Sequence, residues 1–242
     1  MSTVEIVFSP TGGTQKVADI IAGRWQMPVS TVDLCDAGAD FSSVTVGSDD
    51  VALIAVPSYG GRVPALAVER LSKVHGNGAR CVLVCVYGNR AYEDTLVELY
   101  DAAKGCGFEV VAAVAAVAEH SIMHQYATGR PDADDKAALE DFAFKILSKI
   151  QSGDTSVPVI PGNRPYKKLG STPLYPKGDS KCVSCGICAE KCPAGAIDKA
   201  SPRETDTKKC ISCMRCIAVC PQGARKVNHA IVAAAALAIK KA

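Results

Sequence analysis

The sequence predicts an α/β domain built on a doubly wound parallel sheet of five strands, followed by a small α+β domain rich in cysteine. Apolar runs without polar alternation recur through the first part of the chain, which is the pattern of parallel strands buried on both faces. Helix-like segments separate these runs, and this alternation is typical of a doubly wound sheet. Eight of the 12 cysteines then fall into two short blocks, at 182–193 and 210–221.

The expected elements follow one another in strict alternation. We predict strands, in chain order, at 4–9, 29–34, 51–56, 81–87 and 108–117, of which the second is the weakest. We predict helices between and after them at 14–25, 64–75, 91–105 and 134–151. Five strands within about 150 residues favour the order 2-1-3-4-5 over a six-stranded dinucleotide-binding sheet.

The composition narrows the class of protein. A chain of 242 residues with 48% hydrophobic residues can bury a substantial core, and its net charge of +2 gives no general attraction to nucleic acid or membranes. The N-terminus lacks a basic start followed by a long apolar stretch, so we expect no secretory signal. The apolar run at 230–239 is too short to span a bilayer and is expected to be a C-terminal helix. These features predict a cytoplasmic protein without a membrane span.

The first predicted strand and helix are joined by FSPTGGT, residues 8–14. A turn of glycines and hydroxyls presents free backbone N–H groups at a helix N-terminus, which is a suitable anion site. No GK[ST] follows for a nucleoside triphosphate, and GxGxxG for a dinucleotide is absent. The alternative is an ordinary βα turn capped by a serine or threonine. The candidate anion ligands are Ser9, Thr11, Gly12, Gly13 and Thr14.

Each cysteine block reads C-x2-C-x2-C-x3-C-P, the run of bacterial ferredoxins with two iron–sulfur clusters. In that run the fourth cysteine of each block ligates the other cluster. The predicted ligand sets are Cys182, Cys185, Cys188 with Cys220, and Cys210, Cys213, Cys216 with Cys192. Structural zinc usually takes separated pairs of cysteines, and disulfides need an oxidising compartment, so both alternatives fit this spacing less well. The other cysteines, Cys35, Cys81, Cys85 and Cys106, are expected to pack as small buried hydrophobes.

Three loops are expected at the carboxyl edge of the sheet, where ligands bind in such folds. They are FSPTGGT, PSYGGRVP (57–64) and YGNRAYED (87–94). The first resembles the phosphate loop of flavodoxins, with Gly13 where that family usually has Asn, and the other two resemble the segments that flank the flavin ring. Together with EHSI (119–122), the proline-rich 157–170 and the cysteine blocks, they make the whole chain similar to the flavodoxin–ferredoxin fusion family.

The resemblance implies FMN and two [4Fe–4S] clusters as cofactors. The first loop would hold the FMN phosphate, and the other two would flank the isoalloxazine ring, with Tyr59 stacking on it and Arg62 near the N1/C2 carbonyl. The implied ring-binding residues are Pro57, Ser58, Tyr59, Gly60, Gly61 and Arg62 on one side, and Tyr87, Gly88, Asn89 and Tyr92 on the other. His120 would lie near the site, although a histidine at a strand end is more often structural.

The predicted organisation is a flavodoxin-like FMN-binding domain at 1–151, a proline- and glycine-rich linker at 152–180, a 2[4Fe–4S] ferredoxin domain at 181–228 and a helical tail at 229–242. The predicted function is intracellular electron transfer between FMN and the clusters. One alternative is a flavin-dependent reductase of a quinone or nitro compound fed by the clusters, and another is a ferredoxin whose first domain only docks partners. No catalytic acid, base or nucleophile is predicted. The expected partners are redox proteins, and a homodimer stays open.

Overall fold

The computed structural model describes residues 1–170 and 174–240. Residues 171–173 of the predicted linker and residues 241–242 of the predicted tail lie outside that part. The strands of the first domain are β1 (Thr3–Val7), β2 (Val29–Asp33), β3 (Val51–Pro57), β4 (Arg80–Tyr87) and β5 (Glu109–Val117). Its helices are α1 (Gly13–Trp25), α2 (Ala65–Leu71), α3 (Thr95–Gly105) and α4 (Ala133–Gln151). All strands pair in parallel, in the order β2-β1-β3-β4-β5, and this confirms the predicted fold.

The sheet carries one apolar core on each of its faces. α1 and α4 cover one face, where Trp25 of α1 is buried and its indole N–H donates to the carbonyl of Ala143 at 2.9 Å. α2 and α3 cover the other face over Phe8, Leu34 and Phe108. β3 and β4 are buried almost throughout because they lie at the centre of the sheet. The first domain is therefore a three-layer α/β/α sandwich.

The second domain is small and nearly two-fold repeated. It contains β6 (Lys177–Gly178), α5 (Ile187–Glu190), α6 (Arg215–Ala218), β7 (Arg225–Lys226) and α7 (His229–Lys240), and β6 pairs with β7 in antiparallel fashion. The two cysteine blocks have matching backbones, since the residue before each short helix, Gly186 or Met214, is left-handed with φ of 78° or 62°. Arg225 is 1% exposed and donates to the carbonyls of Pro176 and Pro202 at the centre of this domain.

The linker between the domains is fastened to the first domain by specific contacts. The carboxylate of Asp94 accepts from the backbone N–H of Asn163 at 2.8 Å and of Lys167 at 2.6 Å. The guanidinium of Arg164 pairs with Asp101 at 2.9 and 2.6 Å. A Cβ placed on Gly162 would lie 2.4 Å from a methyl of Val97, so the linker backbone packs directly on α3. The linker is thus part of the first domain's surface and not a freely suspended spacer.

No helix within residues 1–170 and 174–240 is both long and apolar enough to cross a membrane. α7 instead runs beside the first domain, where the hydroxyl of Tyr126 donates to the carbonyl of Ala236 at 3.1 Å.

Candidate functional site

The first loop forms an N–H-rich turn at the start of α1. Gly12 has a φ of 91°, which favours glycine, and α1 begins at the next residue. The hydroxyl oxygen of Ser9 accepts from the backbone N–H of Gln15 at 2.9 Å and so fixes the base of the turn. Within the part of the chain that the structure describes, the backbone N–H groups of Gly12, Gly13 and Thr14 have no protein acceptor. These donors and the positive end of the helix dipole suit an anion.

The second loop folds into a two-residue turn beside the first. Tyr59 N–H donates to Arg62 O at 2.9 Å and Arg62 N–H donates to Tyr59 O at 3.2 Å. Gly60 and Gly61 between them have φ of 60° and 84°, which is why glycines occupy both positions. A Cβ on Gly61 would lie 1.9 Å from a carboxylate oxygen of Glu93 in the third loop. The second and third loops are therefore in direct contact.

The third loop brings two tyrosines and a histidine together. The rings of Tyr87 and Tyr92 meet edge to face with centroids 5.3 Å apart. Gly88 lies against the ring of His120, because a Cβ there would come within 2.5 Å of Cδ2. The Nδ1 atom of His120 accepts from the backbone N–H of Ile122 at 3.1 Å, so the neutral ring carries its proton on Nε2. Burial lowers the pKa of His120, as does the neighbouring His124.

The other predicted flavin contacts in these loops lie at the same edge with different exposure. Pro57 ends β3 and is partly buried, and Asn89 is exposed with a φ of 63°. The hydroxyl of Ser58 is 2.7 Å from that of Thr95 in α3, which ties the second loop to the helix after the third. Thr11 is exposed at the mouth of the first loop. The structure therefore gathers all three loops at one edge of the sheet.

Arg62 lies elsewhere than the resemblance implied. Its guanidinium pairs with both oxygens of Glu98 at 2.7 and 2.6 Å and donates to Lys167 O at 2.7 Å. It also lies 4.7 Å from the centroid of the Tyr166 ring. The hydrogen bonds that Arg62 donates to Glu98 raise the pKa of Arg62. Since every terminal nitrogen of this guanidinium is already bound to α3 or the linker, Arg62 fastens the linker and is removed from our flavin contacts.

The eight block cysteines surround two separate cavities. Cys182, Cys185, Cys188 and Cys220 line the first cavity. Cys192, Cys210, Cys213 and Cys216 line the second. The structure thus groups three cysteines of each block with the fourth cysteine of the other, which is the grouping expected from the sequence.

The chemistry of these cavities suits a group larger than one ion. All 12 cysteines are free thiols. Among residues 1–170 and 174–240, no three His, Cys, Asp or Glu side chains are arranged to hold a single metal ion. Four thiols that line one cavity without converging on a point fit a [4Fe–4S] cluster, which takes four cysteine thiolates around a cube.

Backbone donors support the sulfur atoms in both cavities in the same way. Ala196 N–H donates to the sulfur of Cys192 at 3.3 Å, and Ala224 N–H donates to that of Cys220 at 3.3 Å. Burial raises the pKa of the Cys220 thiol, but N–H groups at 222, 224 and 225 outweigh it, so that the pKa is lowered. Such N–H···S hydrogen bonds favour thiolates and tune cluster potentials.

The second cavity faces the carboxyl edge of the sheet, and we call it the inner cavity. Arg215, next to this cavity, donates to the carbonyl of Ser9 in the first loop at 3.4 Å and lies 3.5 Å from the carboxylate of Asp33 at the end of β2. Arg70 of α2 donates to the carbonyls of Leu34 and of Pro193, both at 2.6 Å. Two arginines therefore join the inner cavity to the edge that carries the three loops.

Two further side chains fill the space at this contact. Burial, followed by the nearby thiols of Cys213 and Cys35, raises the pKa of the Tyr59 hydroxyl well above its ordinary value. Burial raises the pKa of Cys35 and of Cys213 to about 12 in each case. Tyr59 is thus directed toward the second domain. Neither this contact nor the two arginine bridges were predicted from the sequence.

Part of the wall of the first cavity is exposed at the protein surface, and we call this cavity the outer cavity. Cys185 in its wall is exposed, and the neighbouring Val183 is 63% exposed. By contrast, Cys213 of the inner cavity is 8% exposed. The two cysteine cavities therefore differ in access, one turned toward the first domain and the other toward solvent.

A sheet of this order with its loops at the carboxyl edge defines the flavodoxin-like class of α/β domain. The family model described as "4Fe-4S dicluster domain" matches residues 181–225, which contain both cysteine blocks. The chain therefore joins a domain of flavodoxin-like fold to a segment that matches the 4Fe–4S dicluster model. No curated protein matches the chain.

Solved structures similar to this chain align with its N-terminal part. A flavodoxin from the domain Archaea is 13% identical, with a TM-score of 0.45, over 62% of this chain and 99% of that one. A flavodoxin of Streptococcus pneumonia TIGR4 is 22% identical, with a TM-score of 0.42, over 61% of this chain and 99% of that one. An NADH:FMN oxidoreductase in its apo form is 16% identical, with a TM-score of 0.44, over 61% of this chain and 89% of that one.

Proposed function

We propose that this chain is an electron-transfer protein that binds FMN at the carboxyl edge of its sheet and 4Fe–4S clusters in its inner and outer cavities. We propose further that it passes electrons among them in that order. When bound, FMN supplies exchange of one or two electrons, and a 4Fe–4S cluster supplies exchange of one. The observation that carries this proposal is the contact between the inner cavity and the carboxyl edge, through Arg215 on Ser9 and Arg70 on Pro193.

In this proposal the first loop binds the phosphate of FMN. The unpaired N–H groups at the start of α1 donate to the phosphate oxygens, and the hydroxyls of Ser9, Thr11 and Thr14 line the same turn. A Cβ on Gly13 would meet only the methyl of Ala118, at 3.5 Å, so the protein around this position does not itself require glycine. The first loop contains no lysine or arginine, so backbone donors and the helix dipole provide the positive potential.

The second and third loops form the two sides of the ring site. Among the described residues the Gly60–Gly61 peptide has no hydrogen-bond partner and can face the ring, whereas the carbonyl of Gly61 accepts from the N–H of Asp94 at 3.0 Å. Tyr87 and Tyr92 offer aromatic surface on the other side. Ser58 and Pro57 hold the second loop on the sheet, and Gly88 with Asn89 allows the third loop to pass close to the site. Arg62 does not flank the ring and instead binds Glu98 of α3 and the carbonyl of Lys167 in the linker.

The contact between the domains keeps the inner cavity beside this site. Arg70 and Arg215 hold the two domains together, while Tyr59 and Cys35 fill the space between the loops and Cys213. Because electron transfer weakens steeply with distance, a fixed contact favours transfer within one chain. The outer cavity, whose wall is partly exposed, is then the place where electrons leave or enter.

The test is a cofactor analysis of protein purified without oxygen. We expect about one FMN and about eight irons with equal sulfide per chain, since two cubes require four irons each. Cys213→Ala should lose only the iron and sulfide of the inner cavity, and Cys185→Ala only those of the outer cavity. Both variants should retain FMN. Eight irons with no FMN, even after FMN is added, would overturn the flavin half of the proposal. FMN without iron would overturn the other half.

A further inference from the structure

We propose that the rim of the outer cavity is the docking surface for a redox protein with an acidic face. This inference rests on the proposed function, because it names the kind of partner that exchanges electrons at the outer cavity. Three observations carry it, namely the exposure of this rim, its basic side chains and the pairing of its nearby acids.

The outer cavity is the cysteine site that a partner protein can approach. Val183 and Ser184 protrude beside the exposed Cys185, and Pro221 and Gln222 on the opposite side are exposed as well. These residues form a small, mostly uncharged platform directly over the cavity. A partner seated on it comes as close to the outer thiols as the fold allows, whereas the first domain covers the inner cavity.

Basic side chains surround this platform. Lys181, Lys199 and Arg203 are all exposed. Arg203 donates to the carbonyl of Cys182 at 3.0 Å, and the stem of Lys199 lies over Gly186, where a Cβ would be 3.2 Å from its Cγ. Two of these cations are thus fastened to the cysteine loop itself. Throughout the described residues, none of the three has a carboxylate within ion-pair distance.

Three of the four acids nearby form ion pairs with other lysines. Glu190 pairs with Lys191 at 2.9 Å, and Glu204 pairs with Lys177 at 3.6 Å. Asp179 pairs with Lys226 at 2.8 Å, and Asp198 accepts from the N–H of Ala200 at 2.8 Å. The rim therefore presents net positive charge.

The charge of the whole chain supports the same conclusion. Residues 181–228 carry nine lysines and arginines against four acids, whereas residues 1–151 carry 12 against 19. This asymmetry concentrates positive charge on the small domain although the chain as a whole is nearly neutral. A positive rim steers an acidic partner into contact and repels a basic one, and salt screens both effects.

The test compares two forms of one electron acceptor that differ chiefly in charge, mitochondrial cytochrome c, which is basic, and its succinylated, acidic form. The cluster-loaded protein is reduced with dithionite, freed of excess reductant without oxygen and mixed with either cytochrome in a stopped-flow instrument. One electron passes from the reduced protein to each haem, taking its iron from Fe(III) to Fe(II). We expect the succinylated form to be reduced faster, with a rate constant that falls as salt is added.

The decisive variant reverses charge on the rim without touching a thiol. Lys181→Glu with Lys199→Glu should slow reduction of succinylated cytochrome c by at least about fivefold at low salt and speed reduction of the native form. The matched control, Lys208→Glu with Lys209→Glu, changes the net charge equally beside Cys210 of the inner cavity, at two exposed lysines. It should have a much smaller effect.

The outcomes separate this inference from the proposed function. Equal effects of the two double variants would mean that whole-molecule charge governs the rate, and would overturn the docking surface. A preference for native cytochrome c, or no reduction of either form by protein with a full complement of iron, would also overturn it. Iron and sulfide are measured on every sample, and wild-type protein without iron would instead contradict the proposed function.

Discussion

The contact between the two domains depends on Arg70, and its removal tests the proposed arrangement directly. Arg70 is 7% exposed, lies 5.6 Å from the centroid of the Phe41 ring and donates to two carbonyls at 2.6 Å, one in each domain. A hydrogen bond from a charged donor contributes about 1.5–3 kcal/mol. Arg70→Met keeps most of the apolar contact and deletes both bonds, so we expect a total loss of about 3–5 kcal/mol.

Only the bond to Pro193 crosses between the domains, so about half of this loss should fall on their docking. A loss of about 2 kcal/mol lowers a docking equilibrium constant roughly 30-fold. Arg70→Lys retains the charge and one donor and should lose about half as much. Arg80→Met is the matched control, because Arg80 donates to the carbonyl of Ile150 at 3.1 Å inside the first domain.

Hydrogen–deuterium exchange is the assay, measured over 190–196 and 210–217 of the second domain and over 33–36 at the end of β2. Arg70→Met should speed exchange in all three segments and slow the transfer of electrons between FMN and the iron–sulfur clusters. Arg80→Met should change neither the exchange in these segments nor the rate of electron transfer, even if it lowers the melting temperature. Unchanged exchange in Arg70→Met, with transfer as fast as in wild type, would refute the idea that this contact holds the domains in their working arrangement.

Three further predictions concern single side chains. Gly61→Ala should abolish FMN retention and leave the iron content unchanged, since its Cβ would lie 1.9 Å from Glu93. Gly60→Ala, whose Cβ meets only a leucine methyl at 3.8 Å, should retain FMN with weaker affinity. Equal FMN affinities of the two variants, measured by fluorescence, would contradict this. Asp94→Ala should free the linker and make 157–170 a preferred site of limited proteolysis, and a digestion pattern like that of wild type would count against the anchoring role. Arg225→Met should leave buried carbonyls unpaired and so prevent the second domain from holding iron. The first domain should still melt cooperatively. A normal iron content would refute this role of Arg225.

The sheet was predictable because its strands have strong local signals. β3 and β4 are continuous apolar runs because they are buried on both faces. β2 gave the weakest signal because it is an edge strand, and four of its five residues are exposed. Helix ends were less accurate. α3 was expected from residue 91 but begins at Thr95, because the left-handed residues Asn89 and Glu93 extend the preceding loop.

The cysteine grouping was expected from the known two-cluster ferredoxin run, in which the fourth cysteine of each block ligates the other cluster. The partners of the charged side chains were not predictable, since they depend on contacts between residues far apart in the chain. Arg62 illustrates this, because its position in the second loop gave no indication that Glu98 and the carbonyl of Lys167 would bind its guanidinium. Arg70 and Arg215 likewise appear ordinary in the sequence and become important only when the second domain packs on the first.

The most direct test of the central claim is whether electrons pass between FMN and the iron–sulfur clusters within one chain. FMN in the oxygen-free, cofactor-loaded protein is reduced by a light flash with an external donor, and the absorbance of the clusters is followed over an approximately hundredfold range of protein concentration. The proposed arrangement predicts a first-order rate constant that is independent of concentration in wild type and smaller in Arg70→Met. A rate that rises in proportion to concentration, or no transfer in protein containing both FMN and iron, would contradict it.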